Sequence, residues 1–137
     1  MKNILFLLSF ISFYSFATTA INISNEDLYI ESNKIEILKE KNEIHFLGNL
    51  KIANNYMRIS AEKAEYNSKN KILNIVGNNA EIISNSSDSN FTGHAKKIIV
   101  YNNNSIELSG DAYLENEGIK FKSSSIRFNQ KDGRILN

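Results

Sequence analysis

Beyond residue 20, apolar and polar residues alternate with a period of two along nearly the whole chain. A short cassette punctuates the alternation. It reads Ile44-His45-Phe46-Leu47-Gly48-Asn49, then Leu73-Asn74-Ile75-Val76-Gly77-Asn78, then Ile106-Glu107-Leu108-Ser109-Gly110-Asp111. Each copy places apolar residues four and two positions before a Gly that Asn or Asp follows. Upstream of each lies another strand-like core: Ile35-Glu36-Ile37, Ala64-Glu65-Tyr66 or Ile99-Val100-Tyr101. Period two is the signature of a strand with one buried face. Repeated at intervals of roughly thirty residues, it predicts hairpins stacked along an axis. The expected class is all-β, with function carried on a surface rather than in a catalytic pocket.

The segments follow from the punctuation. Residues 28–30 open the pattern, and Ser32-Asn33 turns it. Residues 34–38 form a strand, 39–42 a polar turn, and 43–53 a strand with Ile44, Phe46, Leu50 and Ile52 on one face. Asn54-Asn55 is a hairpin candidate, because Asn tolerates positive φ. Met57, Ile59 and Ala61 alternate next. Residues 60–65 have helix-friendly composition but span too little for a helix; they are expected to join two strands at a corner. After Gly77 the apolar positions slip from Asn79 and Glu81 to Ala80 and Ile82. One extra residue there restores the inward face, as a β-bulge does. Gly48, Gly77 and Gly110 are expected to stack at equivalent bends, since Gly within a strand marks a bend or bulge. Residues 85–90 lack periodicity and read as a loop; 102–104 and 131–133 read as turns.

The N-terminus changes the picture. Lys2 precedes an apolar run over residues 4–16, shorter than a membrane span needs. Small residues follow where a signal peptidase cuts, after Ala17 or Ala20. Residues 1–20 are therefore expected to be a secretory signal peptide, and 21–137 one domain. Retention of the segment as an anchor is the alternative. Without Lys2 the 16 basic residues become 15, matching the 15 acidic ones. Near-neutrality without a basic stripe argues against nucleic acid as a partner. Cysteine is absent, so an exported domain must hold together by its sheet and core, and thiol chemistry is excluded.

Residues distributed along the chain carry a resemblance. Ile30-Glu31-Ser32, Phe46-Leu47-Gly48-Asn49-Leu50 and Ile59-Ser60-Ala61-Glu62-Lys63-Ala64 resemble the opening of the LptA (OstA-like) family of periplasmic lipopolysaccharide-transport proteins. Gly93-His94-Ala95 and Leu108-Ser109-Gly110-Asp111-Ala112-Tyr113-Leu114 resemble its second half. The likeness covers about residues 28–130 in order and spacing. It implies an open, twisted antiparallel β-jellyroll, acyl chains of lipopolysaccharide (lipid A) held inside, and head-to-tail self-association into a bridge. The implied neighbours are an inner-membrane-anchored transport subunit and an outer-membrane translocon. Family members usually continue through at least one more strand past the point corresponding to Asn137. A C-terminal edge completed by a neighbouring molecule, or a shortened paralogue, is therefore expected.

The chemistry of such a carrier is simple. Hydrocarbon leaving a membrane costs about 0.8 kcal/mol per CH₂, so a carrier must offer a continuous apolar lining. The candidates are Ile44, Phe46, Leu50, Ile52, Met57, Ile59, Leu73, Ile75, Ile99, Tyr101, Ile106, Leu108 and Leu114. The same alternation serves an open trough or a closed core. Sheet edges, expected near 28–31 and 119–128, offer unpaired backbone groups to a partner strand. Lys51, Arg58, Lys63 and Lys96 are candidates for lipid phosphates near the trough mouth, or are simply solvated. His45 is expected to face solvent and His94 to sit at a turn, too few ligands for a metal centre. Glu62, Glu65, Glu107 and Asp111 fall on outward positions, and the Ser runs have no adjacent His. The resulting reading is a non-catalytic periplasmic lipopolysaccharide carrier without cofactor. The alternatives are an anchored subunit of the same system and a ligand-free structural β-repeat.

Overall fold

The computed structural model describes residues 17–23 and 26–137. The apolar run of the expected signal peptide, residues 4–16, lies outside them. Among the described residues there are nine strands: β1 Ala17–Ile23, β2 Glu26–Ser32, β3 Lys34–Leu38, β4 Glu43–Ala53, β5 Met57–Asn67, β6 Ile72–Ser84, β7 Phe91–Val100, β8 Ser105–Asn116 and β9 Ile119–Asn129. A 3-10 turn, Lys39–Lys41, joins β3 to β4. All pairings are antiparallel, in the order β1-β2-β4-β5-β6-β7-β8-β9, with β3 also paired to β4. The sheet stays open, ending at β1 and β3 on one side and at β9 on the other.

Turn chemistry fixes the hairpins. Asn54 Oδ1 accepts from the N–H groups of Tyr56 and Met57, and Asn67 Oδ1 accepts from those of Lys69 and Asn70. These Asx contacts replace the missing Pro as turn-formers. The first hairpin closes through Asn54 N–H to Met57 O at 3.1 Å, which places Asn55-Tyr56 at the tip, one residue beyond the expected Asn54-Asn55.

A line of register breaks crosses the sheet from β4 to β9. Pairing is interrupted at Leu47/Leu50, Ser60/Lys63, Val76/Ala80, His94/Lys97 and Ser109/Ala112. The breaks lie beside one another, because Leu47 pairs with Lys63, Lys63 with Val76, Val76 with Lys97 and Lys97 with Ser109. The expected corner at residues 60–65 is one of these breaks, inside a single strand β5. The line divides each long strand into two halves and the sheet into two arms. The first arm holds β3 with residues 43–47, 63–67, 72–76, 97–100, 105–109 and 125–129. The second holds β1 and β2 with 50–53, 57–60, 80–84, 91–94, 112–116 and 119–123.

The three cassette glycines are not equivalent. Gly48 and Gly110 have φ of +80° and +82°, followed by Asn49 and Asp111 at +46° and +47°. Two consecutive left-handed residues suit Gly followed by Asn or Asp, which pay the smallest steric penalty there. Gly77 is not among the positive-φ residues. Its strand absorbs the bend differently, with residues 77–79 lying between Val76 and Ala80 while their partners Lys97 and Ala95 are two apart. The slip onto Ala80 and Ile82 is thus a bulge, as the sequence predicts, with two extra residues rather than one.

The two arms fold onto each other. Phe91 starts β7 in the second arm and Phe128 lies one residue before the end of β9 in the first, yet their rings meet edge to face with centroids 5.4 Å apart. A Cβ on Gly93, in the second arm, would lie 3.0 Å from Leu108 Cδ1, in the first. One continuous apolar cluster occupies the space between, with residues from β1, β2 and β4 to β9. Each fully buried Ile, Leu or Phe there contributes about 1.5–3 kcal/mol.

Candidate functional site

The inner surfaces of the two arms form the candidate site. Ten of the expected lining residues lie on it and are buried to 1 % exposure or less: Phe46, Leu50, Ile52, Met57, Ile59, Leu73, Ile75, Ile106, Leu108 and Leu114. Ile44 is partly buried and packs against them. Side chains from both arms interdigitate, so the space is filled by the protein itself.

Two expected lining residues lie elsewhere. Ile99 and Tyr101 are on the outer face, and Ile98 and Val100 take the inner positions. The cause is the register break between His94 and Lys97. It carries the inward series of β7 from Phe91, Gly93 and Ala95 onto Ile98 and Val100. Outside, Tyr101 Oη donates to Glu107 Oε2 at 2.8 Å, and the Arg127 guanidinium lies 4.4 Å from the Tyr101 ring centre. Burial, reinforced by the Glu107 hydrogen bond, raises the Tyr101 phenol above its ordinary value. Buried residues absent from the expected lining include Leu28 and Ile30 of β2, Ile82, Phe91, Ile126 and Phe128. Leu28 and Ile30 alternate visibly in the sequence. Phe91 and Ile126 each follow a polar run that gives no phase.

The outer face is polar and mixed in charge. His45 is half-buried and meets Glu43 Oε2 at 2.8 Å, with Glu65 Oε1 at 3.9 Å. Their ligand atoms lie within 4.8 Å of one another, on the opposite side of β4 from Phe46 and away from the apolar interior. His94 is inside β7, not at a turn, stacked on Tyr113 with ring centres 5.0 Å apart. The Gly before it permits close approach of the arms, not a reversal of the chain. The Tyr113 hydroxyl donates to Glu115 Oε2 at 2.9 Å, which raises its phenol above the ordinary value. Lys51 and Arg58 line one outer cavity with Tyr29, Glu31 and Glu81. Lys96 pairs with Asp111 at 3.2 Å, and Lys63 is exposed.

The edges complete the site. The sequence places the first edge at residues 28–31, but β1 covers that side of β2 with a continuous register from Ala17↔Ser32 to Ile23↔Glu26. The free first edge is β1 in the second arm and β3 in the first. The 119–128 edge is β9, as expected. Charge differs between the two ends. Residues 17–38 hold Glu26, Asp27, Glu31 and Glu36 against Lys34, whereas 119–137 hold Lys120, Lys122, Arg127, Lys131 and Arg134 against Asp132.

An open antiparallel sheet, bent into two arms over a largely apolar lining and carrying a free edge at each end, with acidic residues near the first and basic residues on the last, defines an open-ended β-jellyroll. The profile of the family described as LptA/(LptD N-terminal domain) LPS transport protein matches residues 29–134, and the chain belongs to that family. Among solved structures, it is similar to LptH of Pseudomonas aeruginosa, the LptA-homologous periplasmic component of the conserved lipopolysaccharide transport device. The TM-score is 0.70 and the identity 14%, over 80% of each chain. A search of curated proteins returns no match.

Proposed function

We propose that this chain is a non-catalytic periplasmic carrier of lipopolysaccharide, a segment of the bridge between inner and outer membranes. Acyl chains lie between the two arms, against Phe46, Leu73, Ile98, Ile106 and Leu108. The observation that carries the reading is the continuous apolar lining shared by two arms of one open sheet, in a member of a lipopolysaccharide-transport family. Each CH₂ covered recovers about 0.8 kcal/mol, and the sheet supplies a lining that is apolar but for groups such as the Tyr66 hydroxyl. The inner residues pack against one another and fill the space, so loading requires the arms to part. That makes transfer passive in this subunit and dependent on a neighbour or on the lipid itself.

Neighbours join through the edges. The acidic first end faces the basic last end when copies align head to tail, and β-strand addition supplies the hydrogen bonds. The same edges would meet an anchored inner-membrane subunit and an outer-membrane translocon. The leader, ending at Ala17 or Ala20, delivers the domain to the periplasm, and N-terminal sequencing should find Thr18, which keeps β1 but for Ala17, or Ile21, which keeps only its Ile21-Asn22-Ile23 end.

Photocrosslinking in cells tests the lining. A probe at Phe46 or Leu108 should capture lipopolysaccharide. Absence of lipid adducts at both positions, with the protein folded and exported, would sink the proposal. Native mass spectrometry with and without lipopolysaccharide separates the carrier from a ligand-free structural repeat, which would show no bound lipid.

A further inference from the structure

The segment after β9 does two things at once. Asn129 N–H donates to Arg134 O at 2.8 Å and Leu136 N–H to Arg127 O at 2.9 Å, around an antiparallel bridge between Phe128 and Ile135. The chain has turned back and paired with its own last edge. It covers that edge in the first arm, while among the described residues none pairs with the outer side of 119–123 in the second arm. Within the turn, Gln130 is 3 % exposed. Its Nε2 donates to Asn104 Oδ1 at 2.8 Å, and its Oε1 accepts from Asn54 Nδ2 at 3.2 Å. Asn104 is on the β7–β8 turn of the first arm, and Asn54 on the β4–β5 turn of the second. Asn116 Nδ2, also of the second arm, donates to Gly133 O at 2.9 Å. One side chain therefore ties the open ends of both arms together, and a Cβ on Gly133 in the same turn would lie 2.9 Å from Phe91 Cδ1.

We propose that residues 130–136 are a strap that couples assembly to opening. A first-edge strand of a second copy pairs with β9 along its free half and displaces Arg134–Leu136 to reach the rest. Both strands compete for the same two backbone groups, Arg127 C=O and Asn129 N–H. Displacement pulls Gln130 away from Asn54 and frees the arms to part, so the interior opens where a neighbour is docked and stays sealed where none is. The occupant is a second copy because the strand behind its free first edge, β2, is acidic through Glu26, Asp27 and Glu31, whereas β9 and the strap are basic. The inference rests on the carrier reading and adds its regulation.

The chain has no native cysteine, so the strap can be fastened reversibly. Arg127 and Leu136 face each other across the bridge, at a spacing that suits a disulfide (about 5.5 Å between Cα atoms in a hydrogen-bonded antiparallel pair). The test is the double variant Arg127→Cys/Leu136→Cys in the full chain, oxidised against reduced. It is read by sedimentation for self-association and by a fluorescent lipid A probe for capture. A second variant, Leu136→Pro, removes the N–H that holds the strap to Arg127. The oxidised form should associate at least about tenfold more weakly than the reduced form and capture the probe more slowly. Leu136→Pro should associate more tightly than wild type and capture faster. Equal association and capture in both redox states would overturn the strap and leave the carrier standing. Strap-dependent association without probe capture in any form would sink the carrier and leave the strap.

Discussion

Strands β4 and β7 both cross the bend between the arms, and they cross it differently. In β4 the inward residues are Phe46, then Leu50 and Ile52; the step across the bend is even, and the phase is kept. In β7 the inward residues are Phe91, Gly93 and Ala95, then Ile98 and Val100; the step is odd, and the phase is reversed. Strand β8 behaves like β4, running from Leu108 to Ala112. Strands β5 and β6 behave like β7, with steps from Ile59 to Ala64 and from Ile75 to Ala80. The even step belongs to the two strands with consecutive left-handed residues, Gly48-Asn49 and Gly110-Asp111. A Gly followed by Asn or Asp inside alternation thus marks where the pattern can be carried straight through only when both residues turn left-handed. Gly77-Asn78 shares the letters but not the conformation.

The strongest test of that difference exchanges neighbours within β7. Ile98→Ala should cost about 2–5 kcal/mol, as buried large-to-small changes do. Ile99→Ala should cost less than about 1 kcal/mol, because its side chain stands on the outer face beside Asn74 and Glu107, its register partners. Urea denaturation of the two variants measures both. A larger loss at Ile99 would return it to the lining and reverse the phase of the half-strand. Photocrosslinkers at the same two positions extend the test to lipid, with adducts expected at Ile98 and not at Ile99.

A smaller effect separates the bends themselves. Gly48→Ala and Gly110→Ala each place a Cβ at a left-handed residue, which costs about 1–2 kcal/mol. At Gly110 the new atom would also sit 3.1 Å from Lys96 Cβ. Gly77→Ala meets no such backbone strain, and its nearest neighbour is Glu62 N at 3.3 Å. It should cost less than about 1 kcal/mol. Thermal melts of the three variants rank them, and an equal loss at all three would make the bends equivalent after all.

The same comparison explains how far the sequence could be read. Period two found eight of the nine described strands and the all-β class, because one face of each half-strand is buried and the other is not; the openness of the sheet came from the family resemblance, since alternation fits a closed core equally well. It found the β6 bulge because polar Asn79 and Glu81 flank apolar Ala80 and Ile82, so the slip is written in the letters. It missed the β7 slip because Ile98, Ile99, Val100 and Tyr101 are four apolar residues in a row, where alternation has nothing to report. Only the pairing with β6 and β8 sets the phase there. The strand at Ala17–Ile23 was hidden by its overlap with the expected leader, although Ile21 and Ile23 alternate in the usual way. The strap was hidden for another reason: it is made of backbone hydrogen bonds and one Gln between distant turns, and neither has a local sequence signature.

The least of these effects concerns the tyrosines that the phase puts on opposite faces. Tyr66, on the inner face of β5, is held above the ordinary phenol value of 10.0 by burial. Tyr101, on the outer face of β7, is raised by burial and by its bond to Glu107. A raised folded-state value means that the folded protein keeps a proton the unfolded chain gives up. The associated stability is fully present below the ordinary phenol value and is lost as pH rises through it toward the folded values. Urea midpoints measured across that alkaline range should therefore fall. Tyr66→Phe should flatten the fall with little change at neutral pH, since its ring remains on the apolar face. Tyr101→Phe should flatten it too, but it also removes the hydrogen bond to Glu107, at a cost of about 0.5–1.5 kcal/mol already present at neutral pH. Were Tyr66→Phe to lose stability at neutral pH while Tyr101→Phe did not, the two rings would have the opposite roles, and the inner and outer faces of the bend would have to be exchanged.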